Sequence, residues 1–172
     1  MTGILKQSTA RVLGTLSVLI FAALVVDVLW GVATRYLLGH QASWSEELAR
    51  FLLVWLSMLG GALAYIENSH LGVDALTRVL DPSARRIAIL VSHTLIFLFG
   101  AAVMVYGGTM LFIDRWESGQ VLPALLIRKA WFYLSVPVSG VLITVFALES
   151  AVAALTGRGG EGRQGITDTK GA

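Results

Sequence analysis

The chain has 172 residues, of which 56% are hydrophobic and 14% charged, and its mean hydropathy is +0.75. Soluble domains carry about 25% charged residues, so this composition excludes an ordinary water-soluble globule, and a net charge of +2 excludes the basic stripe that nucleic acid requires. With no cysteine, a disulfide framework, a thiolate metal site and a cysteine nucleophile are excluded as well.

A membrane-crossing helix needs about 20 mainly apolar residues, each rising 1.5 Å through about 30 Å of hydrocarbon. Four segments qualify. The first covers 12–38 and is interrupted by Asp27 and Arg35. The second covers 44–66 and is free of charge after Arg50. The third, 87–113, and the fourth, 130–155, contain Glu149 as their single formal charge. Lipid cannot satisfy exposed backbone groups and four segments cannot close a barrel, so all four are expected to be helices. The expected fold is an all-α integral membrane protein with four transmembrane helices.

Lys6 and Arg11 precede the apolar run Val12–Val26 in the manner of a signal peptide. Hydrophobic sequence resumes directly after Asp27, so a retained anchor is expected. Residues 1–11 form a short N-terminal segment. The tail 156–172, rich in Gly and polar residues, is expected to be disordered. Lys6, Arg11, Arg78, Arg85, Arg86, Arg158, Arg163 and Lys170 fall on one side of the spans, and Arg35, Arg50, Arg115, Arg128 and Lys129 on the other. The richer side is cytoplasmic, which places both termini there. Tyr36, Trp44, Trp116, Trp131 and Tyr133 gather at the opposite ends, where amphipathic rings anchor at headgroup depth.

The first connection closes on a helix-start signature. Ser43-Trp44-Ser45-Glu46 reads as a capping box, with Ser43 as N-cap. Glu46 and Arg50 stand four apart in the favourable order for an ion pair, and Glu47 lies beside them near the positive end of the helix. Two readings stay open for Trp44, Glu46, Glu47 and Arg50: capping at a membrane surface, or contact with a partner. In the second connection Val73, Leu76, Val79 and Leu80 recur at helical spacing opposite Asp74, Thr77 and Arg78. That pattern predicts a short amphipathic helix on the cytoplasmic surface. Asp81-Pro82 then starts the third span, with Arg85 and Arg86 held at the anionic leaflet.

Asp27, Gly31 and Arg35 follow at four-residue intervals on one side of the first helix. Arg35 can snorkel to the interface. Asp27 is an intramembrane carboxylate and hence a functional candidate, either coupling an ion or proton or pairing with a polar group on a neighbouring helix. Ser57 and Gly61, Gly60 and Ala64, and Ser135 and Ser139 are small residues four apart, suited to close helix contacts. The third span has only the run Gly100-Ala101-Ala102. Gly107-Gly108 and Pro137 are expected to loosen or kink the third and fourth helices. His93 is the only histidine well inside a span, so two axial haem ligands are not available there. No Ser–His–acid set can be nominated, and the chain reads as neither an enzyme nor a complete pump.

Across Arg35-Tyr36, Ser43-Trp44-Ser45-Glu46-Glu47-Leu48-Ala49-Arg50, Trp55, Gly60-Gly61 and His70-Leu71-Gly72-Val73-Asp74, the sequence closely resembles the small membrane subunit, DctQ type, of tripartite ATP-independent periplasmic (TRAP) transporters. Pro123-Ala124-Leu125 and the Tyr133 to Pro137 stretch are similar to the family too. The resemblance implies a bacterial inner-membrane scaffold subunit that braces a large elevator-type membrane subunit. It also implies a periplasmic receptor that delivers an organic acid, and no cofactor on this chain, the sodium gradient being used through sites on the large subunit. Carried over residue by residue, Arg35, Tyr36, Trp44, Glu46, Glu47 and Arg50 belong to the periplasmic-side motif that fixes the first two helices against each other and the large subunit. His70 and Asp74 match the cytoplasmic-side motif and organise the surface helix. Asp27 stands where the family is expected to place a neutral polar residue, and Arg128-Lys129 where it is expected to be apolar or to contain Pro. The alternative is a small proton-coupled exporter acting as a homodimer through Asp27, against which the long second connection argues.

Overall fold

The structure is a computed structural model, and it describes residues 2–40, 42–68 and 82–155. The expected amphipathic helix, His70, Asp74 and the tail 156–172 lie outside the described residues. Helix α1 is Thr2–Leu38, α2 is Ser43–Asn68, α3 is Pro82–Phe99, and a π-helical stretch, Gly100–Gly107, leads into α4, Gly108–Glu117. Helix α5 is Ala130–Leu155. Among the described residues four stretches are long and apolar enough to cross a membrane: Lys6–Leu37, Ser43–Glu67, Leu90–Glu117 and Ala130–Val152. The all-α, four-span architecture expected from the sequence is the one observed.

Helix α1 has 37 residues and rises about 55 Å, well beyond the hydrocarbon thickness. Its polar first turns, with Lys6, Gln7 and Ser8, continue the helix past the apolar run. Gly39 ends it at φ 76°, a left-handed position that favours glycine. Helix α2 starts at Ser43, with the Ser45 amide donating to Ala42 O at 3.1 Å. Pro82 opens α3 at a position where its missing N–H has no partner to lose.

The helices stand in the spatial order α1, α2, α5 and then the α3–π–α4 rod, so the last helix in sequence takes an interior place. Association in lipid comes from packing rather than from removing apolar surface from water, and the buried core is accordingly small. Leu13, Leu59 and Ile66 form its centre, with Ala10, Ile20, Trp55, Leu63, Leu142 and Phe146 against them.

The closest approach is between α5 and the third rod. A Cβ at Gly140 would lie 2.6 Å from Met104 Cβ, one at Gly100 2.6 Å from Thr144 Oγ1, and one at Gly108 3.0 Å from Pro137 Cδ. The π stretch therefore faces Gly140 and Thr144, and Pro137 meets Gly108 just past its end. Pro137 removes a backbone donor within α5. Ser135 and Ser139 are fully buried beside it and turn their hydroxyls onto their own helix. Ser135 Oγ donates to Phe132 O at 2.7 Å, and Ser139 Oγ lies 2.9 Å from Ser135 O.

Candidate assembly site

Polar and aromatic residues concentrate at the end of the bundle where α1 finishes, α2 begins and the loop 118–129 enters α5. That loop is a small hairpin. Val121 and Arg128 form an antiparallel bridge, the Leu122 amide donates to Ile127 O at 2.8 Å, and the Lys129 amide donates to Gln120 O at 2.9 Å. Its tip holds Leu126 at φ 55°, a conformation that costs a non-glycine residue roughly 1–2 kcal/mol.

Glu47 holds this tip. Its Oε2 accepts the backbone N–H groups of Ala124 and Leu125, both at 3.0 Å. A carboxylate receiving two amides at a turn makes charge-assisted bonds, stronger than neutral ones. The neighbouring Glu46 pairs instead with Arg50 one turn on, as the spacing predicts, and both side chains are largely exposed. The tie between α1 and α2 at this level is Ser45, whose Oγ donates to Asp27 O at 3.2 Å. Within the chain, Glu47 thus fixes α2 to the hairpin, and Ser45 fixes α2 to α1.

Aromatic contacts join α2 to the start of α5. Trp55 Nε1 donates to Trp131 O at 3.2 Å, and Phe51 packs edge-on to Phe132 with centroids 5.1 Å apart. The Arg128 guanidinium lies over the Trp116 ring at 4.4 Å, a cation–π contact that ties the hairpin to the end of α4. Arg35 is exposed in the last turn of α1, and Tyr36 is 84% exposed. Trp44 is also exposed.

Asp27 is buried, 5% exposed, and neither carboxylate oxygen has a hydrogen-bond partner among the described residues. Gly31 and Thr34 are buried on the same side of α1, with Thr34 Oγ1 donating to Gly31 O at 3.0 Å. Among the described residues no group of three or more His, Cys, Asp or Glu is placed to hold a metal ion.

One polar cluster had little signal in the sequence. His93 is buried at 2% exposure, and its Nδ1 stands 3.1 Å from the Tyr65 hydroxyl, while the Ser150 side chain hydrogen-bonds to the same phenol. This node links α2, α3 and α5 in the half of the bundle away from the hairpin. The single intraspan histidine was the available clue, but its partners come from helices that only the fold brings together.

Residues 24–157 match the family described as tripartite ATP-independent periplasmic transporters, DctQ component. The chain belongs to this family. It is 30% identical over 138 residues to a sialic acid TRAP transporter small permease protein, SiaQ, of Vibrio cholerae, covering 78% of this chain and 76% of that one. It is 27% identical over 127 residues to an ectoine TRAP transporter small permease protein, TeaB, of Halomonas elongata, covering 72% and 64% respectively. It is also 28% identical over 130 residues to a sialic acid TRAP transporter permease protein, SiaT, of Haemophilus influenzae. There the match covers 76% of this chain but 20% of the relative. The protein is a multi-pass small membrane subunit of the DctQ type, which separates it from the homodimeric exporters that four short spans also suit.

Proposed function

We propose that this DctQ-type subunit is a scaffold that braces a large elevator-type permease subunit during ion-coupled uptake of an organic acid handed over by a periplasmic receptor. The observation that supports this most is how the polar side chains are used. Ser45, Glu47, Trp55, Ser135 and Ser139 each bond to backbone within the chain, so they stiffen a frame rather than converge on a solute. The motif residues Arg35, Tyr36, Trp44, Glu46 and Arg50 stay exposed beside that frame, where they suit a partner interface. His70 and Asp74 are assigned to organising the surface segment on the other side. Both termini are cytoplasmic in this reading, which follows the Lys and Arg asymmetry. The sialic acid relatives are in keeping with an organic acid as solute, sodium supplies the drive through the large subunit, and this chain carries no cofactor.

The reading is tested by tagging the chain in its native membrane and weighing the mild-detergent extract by native mass spectrometry. A one-to-one complex with one much larger hydrophobic subunit is expected. Proteoliposomes should then take up solute under a sodium gradient only with the small subunit, large subunit and receptor together. Equal uptake without the small subunit would overturn the scaffold role.

A further inference from the structure

Two groups of glycines within the helices contrast with each other. Gly100, Gly108 and Gly140 are required by the chain itself, because a Cβ at each would meet α5 or the third rod at 3.0 Å or less. At Gly60 and Gly61 nothing among the described residues lies within 4 Å of a Cβ. A glycine in a helix interior costs about 1 kcal/mol relative to alanine, and no close contact among the described residues requires the two adjacent ones on α2.

Gly61 lies on a single uncovered stripe. Glu46, Arg50, Leu53, Ser57, Gly61 and Ala64 are all exposed and recur every three or four residues, on one side of the helix. The uncovered stripe of α5 is chemically different: Val138, Val141, Val145, Leu148 and Val152 are exposed and bulky, as a lipid-facing surface is. Lipid tails gain nothing from small residues, whereas a helix packs closely only where they occur. An independent observation names the occupant. In the SiaT relative the matched stretch is 20% of one continuous permease chain, so a segment like this one is built there into a larger permease.

We propose that this face of α2 seats a transmembrane helix of the large permease subunit, with its close approach at Ser57, Gly61 and Ala64 and its polar end set by the exposed Glu46–Arg50 pair. The proposal rests on the scaffold reading above. The partner helix meets the small residues at mid-membrane and carries polar groups opposite the ion pair. The α5 stripe remains against lipid.

The test coexpresses the tagged chain with its large permease subunit and compares Gly61→Leu with Val145→Leu. Gly61→Leu should lower the copurified large subunit by about tenfold or more, the size of a typical overpacking penalty, without lowering the thermal midpoint of the small subunit alone, since leucine is the better helix former. Val145→Leu should alter neither. Because the chain has no cysteine, Ser57→Cys and Val141→Cys provide clean single-site reporters, and oxidative crosslinking to a cysteine scan of the large subunit should succeed from 57 and fail from 141. An intact Gly61→Leu complex, or crosslinking from 141 alone, overturns the proposed face but leaves the scaffold reading standing. Crosslinking of 57 to a second copy of this chain overturns the occupant. If the wild-type chain copurifies with no large permease, the scaffold reading itself fails.

Discussion

Replacing Glu47 with alanine should release the hairpin 118–129 while leaving the helices in place. One carboxylate oxygen accepts the amides of Ala124 and Leu125 at 3.0 Å each. Hydrogen bonds to charged groups contribute about 1.5–3 kcal/mol each when buried. These are only partly buried, and water replaces part of what is lost, so about 2 kcal/mol for the pair is the reasonable magnitude. The same turn holds Leu126 at φ 55°, so the carboxylate is offsetting a strained backbone as well as closing a loop. About 2 kcal/mol corresponds to roughly a 30-fold rise in exchange at the two amides. Hydrogen exchange read by mass spectrometry on peptides from 118–129, with the chain in nanodiscs, measures it directly. Glu47→Gln keeps an acceptor oxygen without the charge and should fall between wild type and Glu47→Ala. Unchanged exchange at Ala124 and Leu125 in the alanine variant would refute the assignment of Glu47 as the anchor.

Three further outcomes follow from the same geometry. Gly140→Val should separate α5 from the third rod, because even the first carbon would sit 2.6 Å from Met104 Cβ; a loss of at least about 2 kcal/mol is expected in detergent unfolding, and a wild-type midpoint would show that the helices can part freely. Leu126→Gly should raise stability by about 1 kcal/mol by removing the left-handed strain, and a fall in midpoint would mean that the exposed leucine makes contacts that outweigh it. Asp27→Asn should raise the unfolding free energy by about 1 kcal/mol or more, read as a higher thermal midpoint, because it removes an ionisable group from a buried position with no hydrogen-bond partner among the described residues. It should also leave transport by the assembled complex largely intact, whereas abolished transport would point to a coupling role.

Much of this protein is local and therefore legible in the chain. Apolar runs of membrane length, the Glu46–Arg50 spacing and the proline at the head of α3 each depend on stretches of neighbouring residues. The four spans and the pair on α2 followed from such patterns. The small residues show where that kind of reading stops. Ser135–Ser139 and Ser57–Gly61 share one spacing, yet the first pair is fully buried and the second exposed. The third span instead uses Gly100 and Gly108, two turns apart, against α5.

Composition and periodicity alone determined that the chain is helical, crosses a membrane four times and carries a charged start to its second helix. The tertiary structure decided which helices are neighbours, and with that everything resting on long-range contact. It made Glu47 the anchor of a hairpin some 77 residues away, left Asp27 buried with no hydrogen-bond partner among the described residues, and joined Tyr65, His93 and Ser150 across three helices. The physical reason is that hydropathy reports how far each residue prefers lipid to water. It is nearly the same for a helix face turned to lipid and one turned to another helix, so only the packing itself tells the two apart.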